Sequence, residues 1–378
     1  MMPARILAFS REAGGAAAIA PVLLELKETA ELLVLAKDYA KSIFRDTGLS
    51  PIPFPEFSDE AVDRMIADHL GAGIPDAVFT SATSLPQLDM TERYLWQWAR
   101  SREVPSIAVV DQWQNYAVRF SGPGPEEHLN YLPDRIAAMD RHALRAMIDA
   151  GLPEGRVVIT GQPAFDKLSR IRDDYTCDER KAFRRQISVT PDSRLVCFVS
   201  EAFGRDFGAR LGYTEQSVSR DLLSICTRLA AESGLPLHLA VKLHPQNCLE
   251  EFDWLRRLAL PSDLRVTLHW TEQAPIPLVM ASDLVVGMSS VLLLESILLG
   301  RPTVSYQPAT KEKDALIATV LGAIPLIDNP EDCKDIFMNL LKDPSFRTEY
   351  LGQQMRLTTD GGAALRVADL VRSVIRSR

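Results

Sequence analysis

The segment from Asp283 to Gln307, DLVVGMSSVLLLESILLGRPTVSYQ, contains residue types that bind anions. A short apolar strand is predicted at its start, and a helix is predicted from Ser290 to Leu299 with Ser289 or Ser290 as its N-cap. The unpaired N–H groups at a helix N-terminus, together with two hydroxyls, favour a bound anion. We therefore predict an anion site at Ser289 and Ser290, with Glu295 further along the helix. The alternative is that the serines only cap the helix and Glu295 is a surface residue.

A second polar cluster is VKLHPQN, from Val241 to Asn247. Lys242 and His244 come at the end of an apolar strand, and Pro245 turns the chain because proline cannot continue a central strand. A neutral histidine can hydrogen-bond a base or a phosphate, and a protonated one can stabilise a leaving phosphate. We predict that Lys242, His244 and Pro245 contact a phosphate-bearing ligand. The alternative is that His244 has a structural role only.

In the N-terminal half, the candidate for proton transfer is Asp111, in the segment VVDQWQNYAVRF from Val109 to Phe120. Asp111 ends an apolar strand, and a carboxylate there could accept the proton of an attacking hydroxyl. Trp113 and Tyr116 follow it, and aromatic rings can stack on the faces of sugars. The alternatives are that Asp111 caps a turn and that the two aromatic residues pack in the core.

Each half also has a glycine-containing loop after its first strand. Gly14 and Gly15 are predicted to face a ligand, but they lack the full G-x-G-x-x-G pattern of a dinucleotide site. In the second half the loop is SEAFGRDFG, from Ser200 to Gly208. Its residues Glu201 and Arg205 could contact a ligand or form a salt bridge between domains.

These residues must be positioned by a mostly parallel sheet, because short apolar strands alternate with helices of about 10–15 residues. The carboxyl ends of parallel strands lie on one side of a sheet, so we expect His244 to converge with Ser289 and Ser290. The predicted fold class is α/β, with two Rossmann-like domains facing each other across a cleft and a helical C-terminal tail. The predicted divisions are residues 1–167 for the first domain, 168–190 for an interdomain helix and linker, 191–357 for the second domain, and 358–378 for a C-terminal helix that could cross back to the first domain.

Composition excludes several other classes of protein. The 378 residues carry a net charge of −8, which argues against nucleic acid as the main partner but not against a small anionic ligand. The longest apolar stretches are interrupted well before the roughly 18 residues of a membrane span, and the N-terminus lacks the apolar region of a signal peptide. The 5 cysteines have no zinc-ligand spacing and no disulfide pattern. No D-x-D-type cluster lies at a predicted strand end, so the sequence does not indicate a metal site. We therefore expect a metal-independent cytoplasmic protein without a cofactor.

The motifs resemble a known group of enzymes. The His244-Pro245 pair, the Ser289-Ser290 pair and the E-x-x-x-x-G-R-P pattern from Glu295 to Pro302 resemble the second domain of GT-B transferases. The resemblance is to bacterial sialyl- and polysialyltransferases, capsular Kdo transferases and CDP-glycerol glycerophosphotransferases. In those families the H-P motif contacts the cytidine nucleotide and the S-S motif binds its phosphate. The segment DGGAALRVAD from Asp360 is similar to the C-terminal helix of this group.

The resemblance implies a fold of GT-B type, with residues 1–167 as an acceptor-side domain and 191–357 as a nucleotide-donor domain. The protein would then be a glycosyltransferase or polyol-phosphate transferase. It would move a CMP- or CDP-linked sugar to a glycan, lipid-linked or protein acceptor in surface polysaccharide synthesis, with Asp111 as base. Peripheral association with a membrane is compatible with such a role, and the oligomeric state is not indicated. However, the acidic motif that supplies the base in sialyltransferases is absent from the sequence.

Two alternatives to a transferase stay open. One is an isomerase similar to UDP-N-acetylglucosamine 2-epimerase, whose second domain also has a histidine near proline and asparagine. The Glu-Glu pair of those enzymes is absent here, where the sequence reads Leu294-Glu295-Ser296. The other alternative is a non-catalytic binding protein with the same fold.

Overall fold

The computed structural model describes residues 3–54, 56–71, 73–202, 208–269, 275–312, 314 and 316–377. The chain divides into two compact units. The first contains Met1–Lys167 and Thr359–Arg378, and the second contains Leu168–Thr358. Each unit is built on its own parallel sheet, with seven strands in the first and six in the second.

The first sheet has the order β3-β2-β1-β4-β5-β6-β7 and the second the order β10-β9-β8-β11-β12-β13, and all of their pairs are parallel. The strands are β1 Ala4–Ser10, β2 Ala30–Ala36, β3 Ile52–Pro53, β4 Ala77–Ser81, β5 Ser106–Val109, β6 Arg135–Ala138, β7 Val157–Ile159, β8 Arg194–Val199, β9 Leu237–Lys242, β10 Leu264–His269, β11 Leu284–Gly287, β12 Thr303–Tyr306 and β13 Leu326–Ile327.

The α-helices are α1 Ala13–Leu26, α2 Ala40–Asp46, α3 Asp59–Leu70, α4 Thr91–Ser101, α5 Tyr116–Arg119, α6 Arg141–Asp149, α7 Asp166–Asp174, α8 Cys177–Gln186, α9 Gly208–Leu211, α10 Glu215–Ser233, α11 Asp253–Arg256, α12 Pro275–Ala281, α13 Val291–Leu298, α14 Ile317–Val320, α15 Pro330–Lys342, α16 Pro344–Gln354 and α17 Ala363–Arg376. Short 3₁₀ turns lie at Pro125–Glu127, Glu154–Arg156, Pro163–Phe165 and Leu249–Phe252. Among these described helices, none combines the length and the apolar character needed to cross a membrane.

The predicted fold class, two Rossmann-like α/β units with a helical C-terminal region, is confirmed. Both sheets contain the same doubly wound order, in which the strand sequence reverses direction next to the first strand of the unit. In the first unit this switch point lies between β1 and β4, and in the second it lies between β8 and β11. Ligands of open α/β sheets bind beside the carboxyl ends of the strands at such switch points. These two places are therefore where functional side chains are expected.

The C-terminal helix α17 belongs to the first unit. Its buried residues Val367, Ala368 and Val371 pack in the same apolar cluster as residues of β1 and α1. The carboxylate of Asp166 accepts hydrogen bonds from the backbone N–H groups of Ala363 and Ala364, at 3.1 and 2.7 Å, and so stabilises the start of this helix. Helix α17 thus completes the core of the unit that contains β1.

Candidate functional site

The switch point of the second unit contains the predicted anion site. After β11 the chain continues through Met288, Ser289 and Ser290 into α13. The side chain of Ser290 caps this helix as predicted, accepting a hydrogen bond from the N–H of Leu292 at 3.3 Å. The N–H groups of these three residues form a small concave donor surface at the carboxyl end of β11. We call this surface, Met288 to Ser290, the amide nest.

The amide nest holds a carboxylate of the chain itself. Glu201, two residues after the end of β8, accepts hydrogen bonds from the N–H of Ser289 at 2.8 Å and from its Oγ at 3.2 Å. Burial raises the pKa of Glu201 to about 7, opposed by the hydrogen bonds from Ser289. The N–H groups of Met288 and Ser290 also lower the pKa of this carboxyl, as minor causes beside the hydrogen bonds from Ser289. The feature predicted as a phosphate site is therefore satisfied internally, by a residue 88 positions away in the sequence.

The histidine cluster lies at the end of β9, on the other side of β8. The N–H of His244 donates to Oδ1 of Asn247 at 2.8 Å, and Nδ1 of His244 accepts from the N–H of Gln246 at 3.2 Å. Because Nδ1 is an acceptor, the hydrogen of the neutral ring is on Nε2. The pKa of His244 is lowered, mainly by burial and then by the charge of Lys242. Pro245 follows His244 in the same turn.

Lys242 is a buried residue at the end of β9, and its Nζ donates to the carbonyl oxygen of Leu243 at 3.1 Å. Burial lowers its pKa, because the charged ammonium group is poorly solvated there. Lys242 and His244 thus form a pair of basic groups, both held in environments that weaken their charged forms.

His244 and Ser289 lie at the same edge of the second sheet, after strands that are not direct neighbours. The strands β9 and β11 are separated by β8, which places their ends about 10 Å apart. The link between them is Asn247, whose Oδ1 accepts from Ser200 Oγ at 2.9 Å and whose Nδ2 donates to the carbonyl of Glu201 at 3.3 Å. Glu201 therefore stands between the histidine turn and the amide nest.

A buried polar network lies next to the amide nest, on the side of β12. The amide of Gln307, after β12, contacts the carbonyl of Met288 at 3.2 Å and Oδ1 of Asp314 at 2.9 Å. Its Oε1 accepts from the hydroxyl of Tyr213 at 3.1 Å. The sequence offered no signal for this network, because its members come from three separate segments.

The predicted site residue Glu295 is half-buried on α13.

At the switch point of the first unit, Asp111 lies against the start of α1. Its Oδ1 is 2.8 Å from Nη1 of the buried Arg119. A Cβ at Gly14 would lie 2.5 Å from Oδ2 of Asp111, and a Cβ at Gly15 would lie 2.6 Å from Cβ of Ser81. Glycine is thus required at both positions for the close approach of the helix to these two strand ends. The structure brings Asp111, Gly14 and Gly15 together.

Two further carboxyl groups at this switch point were not identified from the sequence. Glu92 on α4 is fully buried, and both Ser81 Oγ and the N–H of Thr83 donate to its carboxylate. Ser81 Oγ is in turn 2.8 Å from Ser10 Oγ. Burial raises the pKa of Glu92 to about 7, and burial also raises the pKa of Glu12 at the start of α1.

The aromatic residues after Asp111 pack within the protein. Trp113 Nε1 donates to Asp140 at 2.7 Å, and its ring stacks on Phe165 with centroids 6.3 Å apart. Tyr116 is part of the apolar core of the first unit. Arg205, the other candidate of the loop after β8, lies outside the described residues. Within the described part of the chain, no group of three or more His, Cys, Asp or Glu residues could hold a metal ion.

Neither a family model nor a curated protein matches the sequence. Solved structures do match, over almost the whole length. A Listeria monocytogenes structure described as a UDP-N-acetylglucosamine 2-epimerase has a TM-score of 0.70 and 15% identity, covering 100% of this chain and 98% of its own. The UDP-GlcNAc 2-epimerase from Neisseria meningitidis bound to UDP-GlcNAc has a TM-score of 0.68 and 14% identity, covering 99% and 100%.

A third match is the Anabaena protein HepE in complex with UDP-glucose, with a TM-score of 0.64, 12% identity and coverage of 99% and 100%. These matches overturn the expectation of a CMP- or CDP-dependent transferase, since 2-epimerase structures match this chain from end to end. The resemblance to sialyl- and Kdo transferases is not supported. At this level of identity the similarity establishes a fold, the GT-B-like fold of UDP-GlcNAc 2-epimerases.

Proposed function

We propose that this protein binds a UDP-linked hexose and acts on it as an isomerase of the 2-epimerase type. The observation that carries the proposal is the match of the whole chain, 99% of it, to a 2-epimerase structure containing UDP-GlcNAc. The UDP-glucose complex of HepE adds a second UDP-sugar ligand for the same fold. The polar groups at the switch point of the second unit suit such a ligand chemically.

In this proposal the second unit binds the nucleotide. Lys242 and His244 offer donors for phosphate oxygens at the end of β9, and the amide nest offers N–H donors at the end of β11. The half-buried carboxylate of Glu295 is a suitable acceptor for hydroxyl groups of a ribose. Pro245 fixes the turn that presents His244.

Epimerisation at C2 requires that the C2–H bond is broken, with its electron pair forming a C1=C2 double bond as the C1–O bond to UDP breaks and UDP leaves with that bond's electrons. UDP then adds back at C1 while a proton adds to C2 on the opposite face of the sugar. This needs one group that accepts a proton and one that donates a proton. We propose Asp111 as the acceptor, positioned by Arg119 and by the close approach of Gly14. We propose Glu12 as the donor, because its raised pKa keeps it protonated to a higher pH than an exposed glutamate.

The test is incubation of the protein with UDP-GlcNAc in D₂O, followed by NMR. We expect a second UDP-N-acetylhexosamine, epimeric at C2, and deuterium at C2 in both isomers, with no acceptor added. Protein that binds UDP-GlcNAc without exchange at C2 would be a binding protein, and the proposed isomerase activity would be wrong.

The residue assignments are tested in the same assay. Asp111→Asn and Glu12→Gln should each slow deuterium exchange by about 10²-fold or more while leaving UDP binding within a few-fold. His244→Ala should weaken UDP binding itself. Exchange at the wild-type rate in both carboxyl variants would contradict their assignment but not the activity.

A further inference from the structure

The carboxylate of Glu201 occupies the amide nest in the way that a phosphate group would. Its two oxygens accept hydrogen bonds from the N–H and the hydroxyl of Ser289, at 2.8 and 3.2 Å, and the backbone N–H groups of Met288 and Ser290 also favour the ionised carboxylate. All of these donors are neutral N–H or O–H groups, which bind carboxylate and phosphate oxygens alike. The nest therefore has the chemistry of an anion site and already contains an anion.

The main chain of Glu201 is held independently of its side chain. Its carbonyl accepts from Nδ2 of Asn247 at 3.3 Å, and the neighbouring Ser200 Oγ donates to Oδ1 of Asn247 at 2.9 Å. Both contacts lie at the carboxyl end of β8, next to the paired residues Val199 and Lys242. The carboxylate can therefore leave the nest by rotation about side-chain bonds while the backbone stays in its hydrogen bonds.

In this contact the ionised form of Glu201 is only weakly favoured over the protonated form. Burial raises its pKa to about 7, and this effect of burial is larger than that of the hydrogen bonds from Ser289. A carboxylate that is poorly solvated in its pocket gains solvation when it moves out to water. The ionised side chain therefore gives up part of its hydrogen-bond energy to desolvation in the nest, and a more highly charged anion can compete with it for the same donors.

We propose that Glu201 is an internal competitor for the phosphate subsite, and that a nucleotide diphosphate binds the amide nest only when the Glu201 carboxylate has left it. This inference rests on the proposed binding of a UDP-linked ligand and adds a residue that determines its affinity. The observed affinity is then the intrinsic affinity multiplied by the fraction of molecules with an empty nest. If the carboxylate occupies the nest in more than about 90% of molecules, its removal strengthens binding about tenfold or more.

The experiment compares the wild type with Glu201→Ala and Glu201→Gln by calorimetric titration with UDP and, separately, with inorganic pyrophosphate. The alanine variant empties the nest, and we expect its Kd for both ligands to fall about tenfold or more. The glutamine variant keeps an acceptor oxygen without the charge, and we expect an intermediate Kd. Because the glutamine side chain is isosteric, it also supplies a folded protein if the alanine variant does not fold.

Glu349→Ala is the matched control. Glu349 is exposed on α16, and in titrations at about pH 8, where Glu201 is also mostly ionised, its removal changes the net charge by nearly the same amount as Glu201→Ala. We expect an unchanged Kd for both ligands. A gain in affinity equal to that of Glu201→Ala would show an effect of net charge and would overturn the proposal.

The two ligands separate this inference from the proposed function. If Glu201→Ala binds pyrophosphate more tightly and neither protein binds UDP, Glu201 is the competitor and the UDP-sugar function is wrong. If the wild type epimerises UDP-GlcNAc and Glu201→Ala binds both ligands no more tightly, the function holds and the competitor role is wrong. Weaker binding of both ligands by Glu201→Ala would likewise overturn the competitor role, because Glu201 would then be part of the ligand site.

Discussion

At the scale of single residues, the buried carboxyl of Glu92 predicts a dependence of stability on pH. Its pKa is raised from 4.5 to about 7 by burial, so the folded state keeps a proton that the unfolded state loses above about pH 4.5. The stability that Glu92 contributes is therefore present below pH 4.5 and is lost as the pH rises to about 7. The free energy of unfolding of Glu92→Gln, relative to the wild type, should therefore shift in favour of the variant by about 3 kcal/mol between pH 4.5 and pH 8, whatever its offset at low pH.

The measurement is the free energy of unfolding by urea, for both proteins, at several values between pH 4.5 and 8. The difference should grow up to about pH 7 and then stay constant. Glu349→Gln serves as the control, since its exposed side chain should give a difference that stays near zero at every pH. A constant difference between Glu92→Gln and the wild type across the range would contradict the prediction.

At the scale of elements, the sequence predicted those parts of the fold that depend on local patterns. The apolar strands that lead to Asp111, His244 and Ser289 were identified because each is a short run of buried residues. The N-cap of α13 at Ser290 was also recognised, because serine before an apolar helix is a local signal. The two-residue strands β3 and β13 were missed, since two residues are too few to show a periodicity.

The occupant of the amide nest could not be predicted in this way. Nothing near Ser289 in the sequence indicates that its N–H binds Glu201, because that contact depends on the adjacency of β8 and β11 in the sheet. The same applies to Glu92, which reaches Ser81 only because α4 packs on β4. Local patterns thus predicted where polar groups emerge from the sheet, and the strand order decided which of them meet.

Helix α17 provides a prediction at this scale. Val367 is fully buried in the core of the first unit, whereas Leu365 on the same helix is 50% exposed. Val367→Ala should lower the free energy of unfolding of the first unit by about 1–3 kcal/mol, and Leu365→Ala should change it by less than about 0.5 kcal/mol. Hydrogen exchange of peptides from β1 and β4 measures the effect in that unit. Equal effects of the two substitutions would show that α17 does not pack as described.

At the scale of the whole molecule, the net charge is negative although the strand ends of the second unit present basic groups and N–H donors. The chain carries a net charge of −8, yet the strand ends of the second unit present Lys242, His244 and the amide nest. The pKa of both Lys242 and His244 is lowered by burial, so the donors at this edge are backbone N–H groups and weakened bases rather than exposed charges. Such a site suits a small phosphate ester and does not suit a long polyanion, whose binding needs an extended positive surface.

A ligand that binds only the folded chain raises its melting temperature, so nucleotide choice can be measured on the intact protein. At a concentration of 100 times Kd the stabilisation is about 2.7 kcal/mol, which corresponds to a shift of several degrees. We expect UDP and UDP-GlcNAc to produce this shift and CMP and CDP to produce a much smaller one at equal concentration. His244→Ala should lose most of the shift with UDP, whereas Glu349→Ala should keep it. The choice of uridine rests on the UDP-sugar complexes of the similar structures, because the phosphate contacts proposed here do not distinguish the bases. A shift with CMP or CDP as large as that with UDP would therefore contradict that choice.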